Sequence, residues 1–290
     1  MTRTNPTVRQ RELGKRLRVL RNRHGLTVED VAEKLLCSAT KISRLETGAR
    51  PPSLRDVRDL CNLYGVGESE SAELMSLARG AREPGWWAKY DDLDLYPYIG
   101  FEEAATAITS YTMYYIPALL QTEDYARAII KAIARKMDPH IHQQRVEARL
   151  LRQQVLEQDN RPRYRVLLDE AVLQRRVGGP ALMVAQLDKI LEAVRSGKTT
   201  VHVIPFNIGA HAAQDSNFVL FEFDDTKLSP DDAKLSPVVF VEGLTSHQYY
   251  ERKADIDRYR EAIEYLRDSA LSPRDSVEYM TKLRIQLQET

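Results

Sequence analysis

The first fifty residues carry apolar side chains at helical spacing, but the helical pattern is interrupted repeatedly. Leu13, Leu17 and Leu20 recur on one helix face, and Gly25 then supplies the residue that most easily ends a helix in the left-handed conformation. Four further short helices are predicted to begin at or just after Thr27, Ser38, Ser53 and Glu68. This pattern predicts a small all-α domain at the amino terminus.

The third predicted helix has an apolar inner face and a polar outer face. In the segment SATKISRLET, Ile42 and Leu45 turn inward and Gly48 ends the helix. The side chains left outside are Thr40, Lys41, Ser43 and Arg44. Two short helices joined by a tight turn, the second of them offering small polar and basic groups at its start, suit the major groove of DNA.

The charge distribution favours the same interpretation. The chain has 42 Lys and Arg against 42 Asp and Glu, and residues 1–50 hold 12 of the basic but 5 of the acidic residues. The net charge is therefore +7 in residues 1–50 and −7 in the remainder. A basic end favours polyanionic partners, although a basic helix can also be a solvated face.

The run LGKRLRVLRNRHGLTVEDVAEKLLCSATKISRLETGARPPS resembles the helix-turn-helix of phage-repressor-type (XRE, Cro/CI-like) transcription regulators. The resemblance covers about residues 9–78 and implies that Ser38–Arg44 begins the recognition helix. It also implies a buried ion pair between Arg21 and Glu46. The residues implied to lie nearest base edges are Ala39, Thr40, Ser43 and Arg44, which follow Ser38 at the start of this helix. Those implied to lie near phosphates are Thr27, Val28, Lys41 and Arg50.

Cysteine and histidine give little support for a metal or redox centre. Cys37 and Cys61 are too few for a disulfide scaffold or a four-ligand zinc site, and we interpret both as small core residues. His140 and His142 lack a carboxylate partner at metal-binding spacing, so we predict neither a metal site nor a cofactor.

The composition changes after Arg82, where we predict a domain boundary that separates residues 1–82 from residues 83–290. Pro84 and Gly85 suit a linker, and both tryptophans and half of the tyrosines follow within a short stretch. A tyrosine stripe on a buried helix would explain most of these rings, but tyrosines also line binding surfaces. Trp86 and Trp87 either pack between the domains or plug the core of the larger one.

The remainder of the chain alternates short apolar runs with helical segments. Four strands are predicted, in the segments RYRVLLDEAVL, TTVHVIPF, NFVLFEFD and PVVFVEG. Helices are predicted between and after them, and 225–237 is interpreted as an exposed hairpin loop. The expected fold class is α+β, with a five-helix helix-turn-helix domain followed by a larger mixed α/β domain that has a small sheet and flanking helices.

Residues from about 86 to 287 resemble the actinobacterial domain of unknown function found in WhiJ-like and Scr-type antitoxin-like regulators of Streptomyces and its relatives. The segments that carry this resemblance include IPALLQTEDYARA, LLDEAVLQRRVGG and VIPFNIGAH. It implies a developmental or antibiotic-linked regulator that works with a small protein encoded nearby. The segment 225–237 is longer than the connection usual in this family.

Polar residues at predicted strand ends and on one helix form the candidate ligand site. Arg149 and Arg152 continue a basic stripe from Arg145, which could pair with acids, hold an anion or be solvated. The strand-end candidates are Asp169, Glu170, Arg175, His211 and Glu242. An enzyme with Glu170 or Glu242 as base and His211 as acid is conceivable, but no diagnostic catalytic motif accompanies these residues, and we expect no enzyme.

These features together predict a transcription regulator that binds a double-stranded DNA operator as a homodimer. The larger domain is expected to bind a small partner protein or a small molecule that modulates DNA binding. The alternative is an antitoxin-like module that neutralises a cognate small protein and regulates its own operon. The start of the chain has no apolar segment typical of a secretory signal, and 104–122 is too polar to span a membrane. A cytoplasmic protein is expected.

Overall fold

The computed structural model describes residues 6–90, 96–223 and 235–289. Contacts divide the chain into two compact units. The first unit comprises the residues up to Ala104, together with Phe223 and Leu235. The second unit comprises Ala105–Glu222 and the residues from Ser236 onward. The predicted fold class is confirmed: a five-helix helix-turn-helix region precedes a mixed α/β domain. Most of the predicted loop at 225–237 lies outside the described residues.

The first unit begins with five helices: α1 (Pro6–Arg23), α2 (Val28–Lys34), α3 (Ala39–Glu46), α4 (Leu54–Leu63) and α5 (Glu68–Gly80). Side-chain caps start three of them. Thr27 and Asp30 form a reciprocal capping box at α2, while the hydroxyls of Ser38 and Ser53 accept from backbone amides at the starts of α3 and α4. Gly25, at φ +63°, follows α1 in the conformation that glycine adopts most readily.

A close approach between α1 and α3 depends on Gly14. A Cβ atom at this position would lie 2.5 Å from the carbonyl oxygen of Leu45 and 2.7 Å from that of Glu46. No other residue type fits this contact without moving one of the helices. The absence of a side chain at Gly14 therefore sets how near the third helix lies to the first.

An ion pair between Arg21 and Glu46 joins the same two helices. The Arg21 Nε and Nη2 atoms donate to the two Glu46 carboxylate oxygens at 2.7 and 2.9 Å, and Nη1 donates to the carbonyl oxygen of Leu26 at 2.7 Å. Both side chains are almost fully buried. The hydrogen bond to Glu46 raises the pKa of Arg21 despite the opposing effect of burial, so the pair stays ionised.

Helix α6 (Tyr96–Ala104) and a short 3₁₀ turn at Trp86–Lys89 complete the first unit. The indole Nε1 of Trp86 donates to Glu103 at 2.6 Å, Trp87 is buried, and their rings meet edge to face. Arg11 of α1 lies over the ring of Phe101, 4.2 Å from its centroid. Both tryptophans thus have partners within the first unit.

The second unit is built on a six-stranded sheet with the order β3-β2-β1-β4-β5-β6. Its strands are β1 (Ala107–Thr112), β2 (Arg163–Asp169), β3 (Thr199–Ile204), β4 (Phe218–Glu222), β5 (Val238–Glu242) and β6 (His247–Tyr250). β1, β2 and β3 pair in parallel, and the remaining neighbours pair antiparallel. The carboxyl ends of β1, β2, β3 and β5 therefore lie along one edge of the sheet, which we call the carboxyl edge.

Helices connect and cover these strands: α7 (Glu123–Ile133), α8 (Pro139–Arg152), α9 (Glu170–Gln174), α10 (Pro180–Arg195), α11 (Lys253–Ser269) and α12 (Pro273–Gln288). Apolar side chains of α11, among them Ile256, Ile263 and Leu266, share a core cluster with Tyr111 and Phe218 of the sheet. α10 and α12 pack on each other and on β3. The predicted mixed α/β domain with a small sheet and flanking helices is confirmed.

The structure corrects three details of the sequence interpretation. All four predicted strands are present, but β1 and β6 were missed. β1 falls in the aromatic stretch, where a buried helix was predicted, and strand pairing on both sides overrides the weak local pattern of AITSYT. The first predicted strand also ends earlier, because Asp169 accepts from the amide of Ala171 and starts α9.

The ion pair between Arg21 and Glu46 leads to a stability prediction. Replacing Glu46 with Ala leaves a buried guanidinium without its counter-ion, so we expect the free energy of unfolding to fall by about 3 kcal/mol. The matched control is Asp59→Ala, which removes an exposed partner of Arg58 and should cost less than about 1 kcal/mol. Urea denaturation followed by circular dichroism measures both changes. Equal losses in the two variants would contradict the structural role of the pair.

Candidate DNA-binding helix and ligand-binding edge

Helix α3 presents one face to the core of the first unit and the other to solvent. Ile42 and Leu45 are buried, whereas Thr40, Ser43 and Arg44 are exposed. Ser38 is exposed at the N-cap, and Ala39 is half-buried against the core. The exposed side chains are the small polar and basic types that can reach base edges in a major groove. The predicted separation of inner and outer faces is therefore present for these residues, whereas Lys41, also expected outside, is half-buried.

The four residues assigned to phosphate contacts occupy different settings. Arg50 is exposed and Val28 is half-buried at the start of α2. The Thr27 amide and hydroxyl are both used within the capping box. Lys41 Nζ donates to Asp56 at 2.6 Å. Burial would raise the pKa of Asp56, but hydrogen bonds from Lys41 and Ser53 outweigh burial and lower it. A phosphate at Lys41 would have to compete with this carboxylate.

One residue of the turn between α2 and α3 was not singled out from the sequence. Leu36 is 94% exposed and has a φ of +49°, the left-handed region that leucine rarely adopts. An apolar side chain held outward beside α3 suits contact with a thymine methyl group. Its place in the run KLLCS is typical of a core position, so no local pattern indicated that Leu36 is exposed.

The carboxyl edge gathers three of the polar residues proposed from the sequence. His211 Nε2 lies 3.9 Å from Asp169 and 3.5 Å from the hydroxyl of Tyr111, and its side chain is nearly buried. Burial, and then the Asp169 carboxylate, raise the pKa of Tyr111. Glu170 is held by the hydroxyl of Tyr279 at 2.7 Å and by the amide of Phe206 at 2.8 Å. These contacts occupy Glu170 with structural hydrogen bonds.

A second polar group at this edge centres on Arg149. Its Nη1 donates to Gln121 at 3.1 Å, and among the described residues no carboxylate lies within ion-pair distance of it. Burial, and then the like charge of Arg152, lower its pKa to about 10, although Tyr115 and Glu242 act in the opposite direction. Tyr115 donates to Glu242 at 3.1 Å. Two neighbouring guanidiniums, one without a close counter-ion, favour the arrival of an anion.

Arg175 is less closely integrated into this edge than the other candidates. It is exposed, and its side chain makes no hydrogen bond or ion pair with any residue that the structure describes. Burial raises the pKa of Tyr125, and the positive charges of Arg175 and Arg149 oppose that rise. The structure thus places Arg175 in the electrostatic neighbourhood of Arg149.

A buried amide network, which the sequence did not predict, positions Arg149. Gln121 and Gln186 are both fully buried; Gln121 donates to the carbonyl of Ile116 at 2.6 Å and accepts from Arg149. Gln186 bridges α10 to the Leu120 carbonyl and the Thr122 amide at 2.7 and 2.8 Å. Lys189 donates to the carbonyl of Gln121 and to Gln153, both at 2.6 Å. Buried polar groups that are hydrogen-bonded in this way hold their side chains in a single arrangement.

Large apolar side chains stand exposed on the loops at the same edge. Tyr114 follows β1 and is 50% exposed, Phe206 follows β3 and is 59% exposed, and Leu244 follows β5 and is 96% exposed. Single exposed apolar residues are common. Three of them on loops that the sheet topology brings to one edge, together with the half-buried Arg149, are typical of a protein-binding surface.

Comparison with known proteins assigns both parts of the chain. None of the helices in the described ranges has the length and apolar content needed to cross a bilayer. No curated protein and no solved structure gives a significant match. A helix-turn-helix domain matches residues 12–74, and a domain of unknown function, DUF5753, matches residues 95–282. Because the DUF5753 match covers more than half of the chain, the chain belongs to the DUF5753 family, and in it this domain follows an amino-terminal helix-turn-helix domain.

Proposed function

We propose that this protein is a cytoplasmic, sequence-specific transcription regulator of an actinobacterium. Residues 1–82 would bind the operator, and residues 83–290 would bind a small partner protein that changes the affinity for DNA. The observation that carries the proposal is the outer face of α3, where Thr40, Ser43 and Arg44 are exposed above buried Ile42 and Leu45. The helix-turn-helix match supports DNA binding.

The carboxyl edge is the surface that we propose for the partner. Its exposed residues Tyr114, Phe206 and Leu244 offer apolar area, and Arg149 offers a positive charge without a close carboxylate among the described residues. A partner that inserts apolar side chains and a carboxylate would match both features. A ligand that binds one state of the regulator better can shift its DNA affinity by that difference.

The DNA-binding assignment predicts a specific set of affinity changes. Arg44→Ala and Thr40→Ala should each weaken operator binding by about 1–3 kcal/mol without unfolding the domain, since both side chains lie outside the core. Arg50→Ala should weaken all DNA sequences alike and reduce the slope of affinity against salt by about 1. Arg79→Ala, which changes an exposed residue of α5, is the control. Fluorescence anisotropy on an operator selected from random DNA measures each effect; unchanged operator affinity in both α3 variants would remove this helix from base recognition.

We also propose that the protein acts as a homodimer, because one helix-turn-helix reads too few base pairs for useful specificity. Exposed Tyr265 of α11 and Ile285 of α12 support the carboxyl-terminal helices as the interface. Light scattering should give a dimer at micromolar concentration, and Ile285→Arg should shift the protein toward monomer. A wild-type monomer, both free and on operator DNA, would reject the dimer.

The partner surface predicts a loss of complex formation when its apolar residues become polar. We expect Phe206→Ser and Leu244→Ser each to weaken binding of the small protein encoded beside this gene by about tenfold or more, since burying such a side chain contributes roughly 1.5–3 kcal/mol. Ile133→Ser, at the far end of α7 and 60% exposed, is the matched control. Isothermal titration calorimetry measures the three affinities. Equal affinities in all variants would exclude this edge as the docking surface.

A further inference from the structure

A polar cleft opens at the amino ends of the parallel strands, at the opposite edge of the sheet from the carboxyl edge. It has a volume of about 600 Å³. Residues from three adjacent strands and their preceding loops line it, including Thr109, Arg161, Arg163, Arg165, Lys198 and Thr200. All of them belong to the second unit. None is among the residues that sequence analysis proposed for DNA or ligand binding.

Strand register explains why these side chains converge. Thr109 of β1 pairs with Arg165 of β2, and Arg165 pairs with Thr200 of β3, so the three side chains form one row on one face of the sheet. The next row on that face includes Tyr111 and Leu167, which pack in the core cluster with α11. The polar row thus lies where apolar packing on this face ends.

The arginines of the cleft have no counter-ion within the described chain. The side chains of Arg161, Arg163 and Arg165 make no hydrogen bond or ion pair with any residue that the structure describes. Two acidic residues also line the cleft, Asp159 and Glu222. Glu222 is paired with Arg260 at 2.7 Å, and Asp159 makes no ion pair with these arginines. Lys198 is already bound to Glu157 at 2.7 Å. The free positive charge is therefore concentrated on three guanidiniums.

From this geometry we propose that the cleft binds a small phosphorylated molecule that also carries hydroxyl groups. Planar guanidiniums donate paired hydrogen bonds to phosphate oxygens, and the hydroxyls of Thr109 and Thr200 supply further donors. Asp159 and Glu222 can accept from ligand hydroxyls. The volume lies within the range of small-molecule sites, about 300–1,000 Å³. A concave site of this size suits a nucleotide or sugar phosphate rather than a DNA backbone.

The proposal is independent of the operator and partner assignments, and binding to the full-length protein tests it. Inorganic pyrophosphate and ADP are the probes, with adenosine as the uncharged comparison, all at matched ionic strength in isothermal titration calorimetry. Arg165→Gln and Arg163→Gln should each weaken binding of both phosphate probes by about tenfold or more, since a hydrogen bond to a charged group contributes roughly 1.5–3 kcal/mol. Adenosine should bind at least about tenfold more weakly than ADP.

Two controls separate the cleft from other basic surfaces. Arg274→Gln changes an exposed arginine of α12 that does not line the cleft, and Arg79→Gln changes an exposed arginine of α5 in the first unit; both should leave phosphate binding within about twofold of wild type. Unchanged thermal unfolding of Arg165→Gln shows that the variant is folded. The proposal is overturned if wild-type protein binds neither phosphate probe, if the controls weaken binding as much as Arg165→Gln, or if Arg165→Gln weakens only DNA binding.

Discussion

Strand β1 is the constraint on which the larger unit depends. All six of its residues are buried, and it pairs with parallel β2 on one side and antiparallel β4 on the other. This central position joins the βαβ half of the sheet to the antiparallel half and sends Tyr111, Tyr114 and Tyr115 toward the carboxyl edge. The apolar loops and the polar groups around Arg149 and His211 lie along one edge because β1 runs in the same direction as β2 and β5.

The smaller unit depends on a different contact, that of α1 with α3. Gly14 allows the backbones to come close, and the Arg21–Glu46 pair fixes their orientation through two short hydrogen bonds. A buried ion pair contributes less to stability than its Coulomb attraction suggests, because both charges lose their water. Its value here is geometric. It holds α3 so that Thr40 and Arg44 remain outward while Ile42 and Leu45 pack inward.

The two edges of the sheet differ chemically. At the carboxyl edge, Arg149 belongs to a network of amides in which the amide nitrogen and oxygen of both Gln121 and Gln186 are hydrogen-bonded, and loops with exposed apolar side chains lie at the same edge. At the amino edge, arginines face an open cleft without counter-ions among the described residues. Burial lowers the pKa of Arg149, whereas solvent screens the charges in the cleft. The first environment suits a protein partner with an apolar contact, and the second suits a hydrated phosphate.

The elements whose signals are local could be predicted from the amino-acid sequence. Caps at Thr27, Ser38 and Ser53, and apolar spacing in α1 and α3, predicted helices that the structure contains, and four β-branched runs predicted four of the six strands. The segment AITSYT becomes a central strand because it is buried and paired by β2 and β4, which are distant in sequence. The same holds for the sites: residue type nominated Arg149, Glu170 and His211, but strand register and the buried glutamines determined which groups meet. Pairing and burial depend on long-range contacts, which no local pattern encodes.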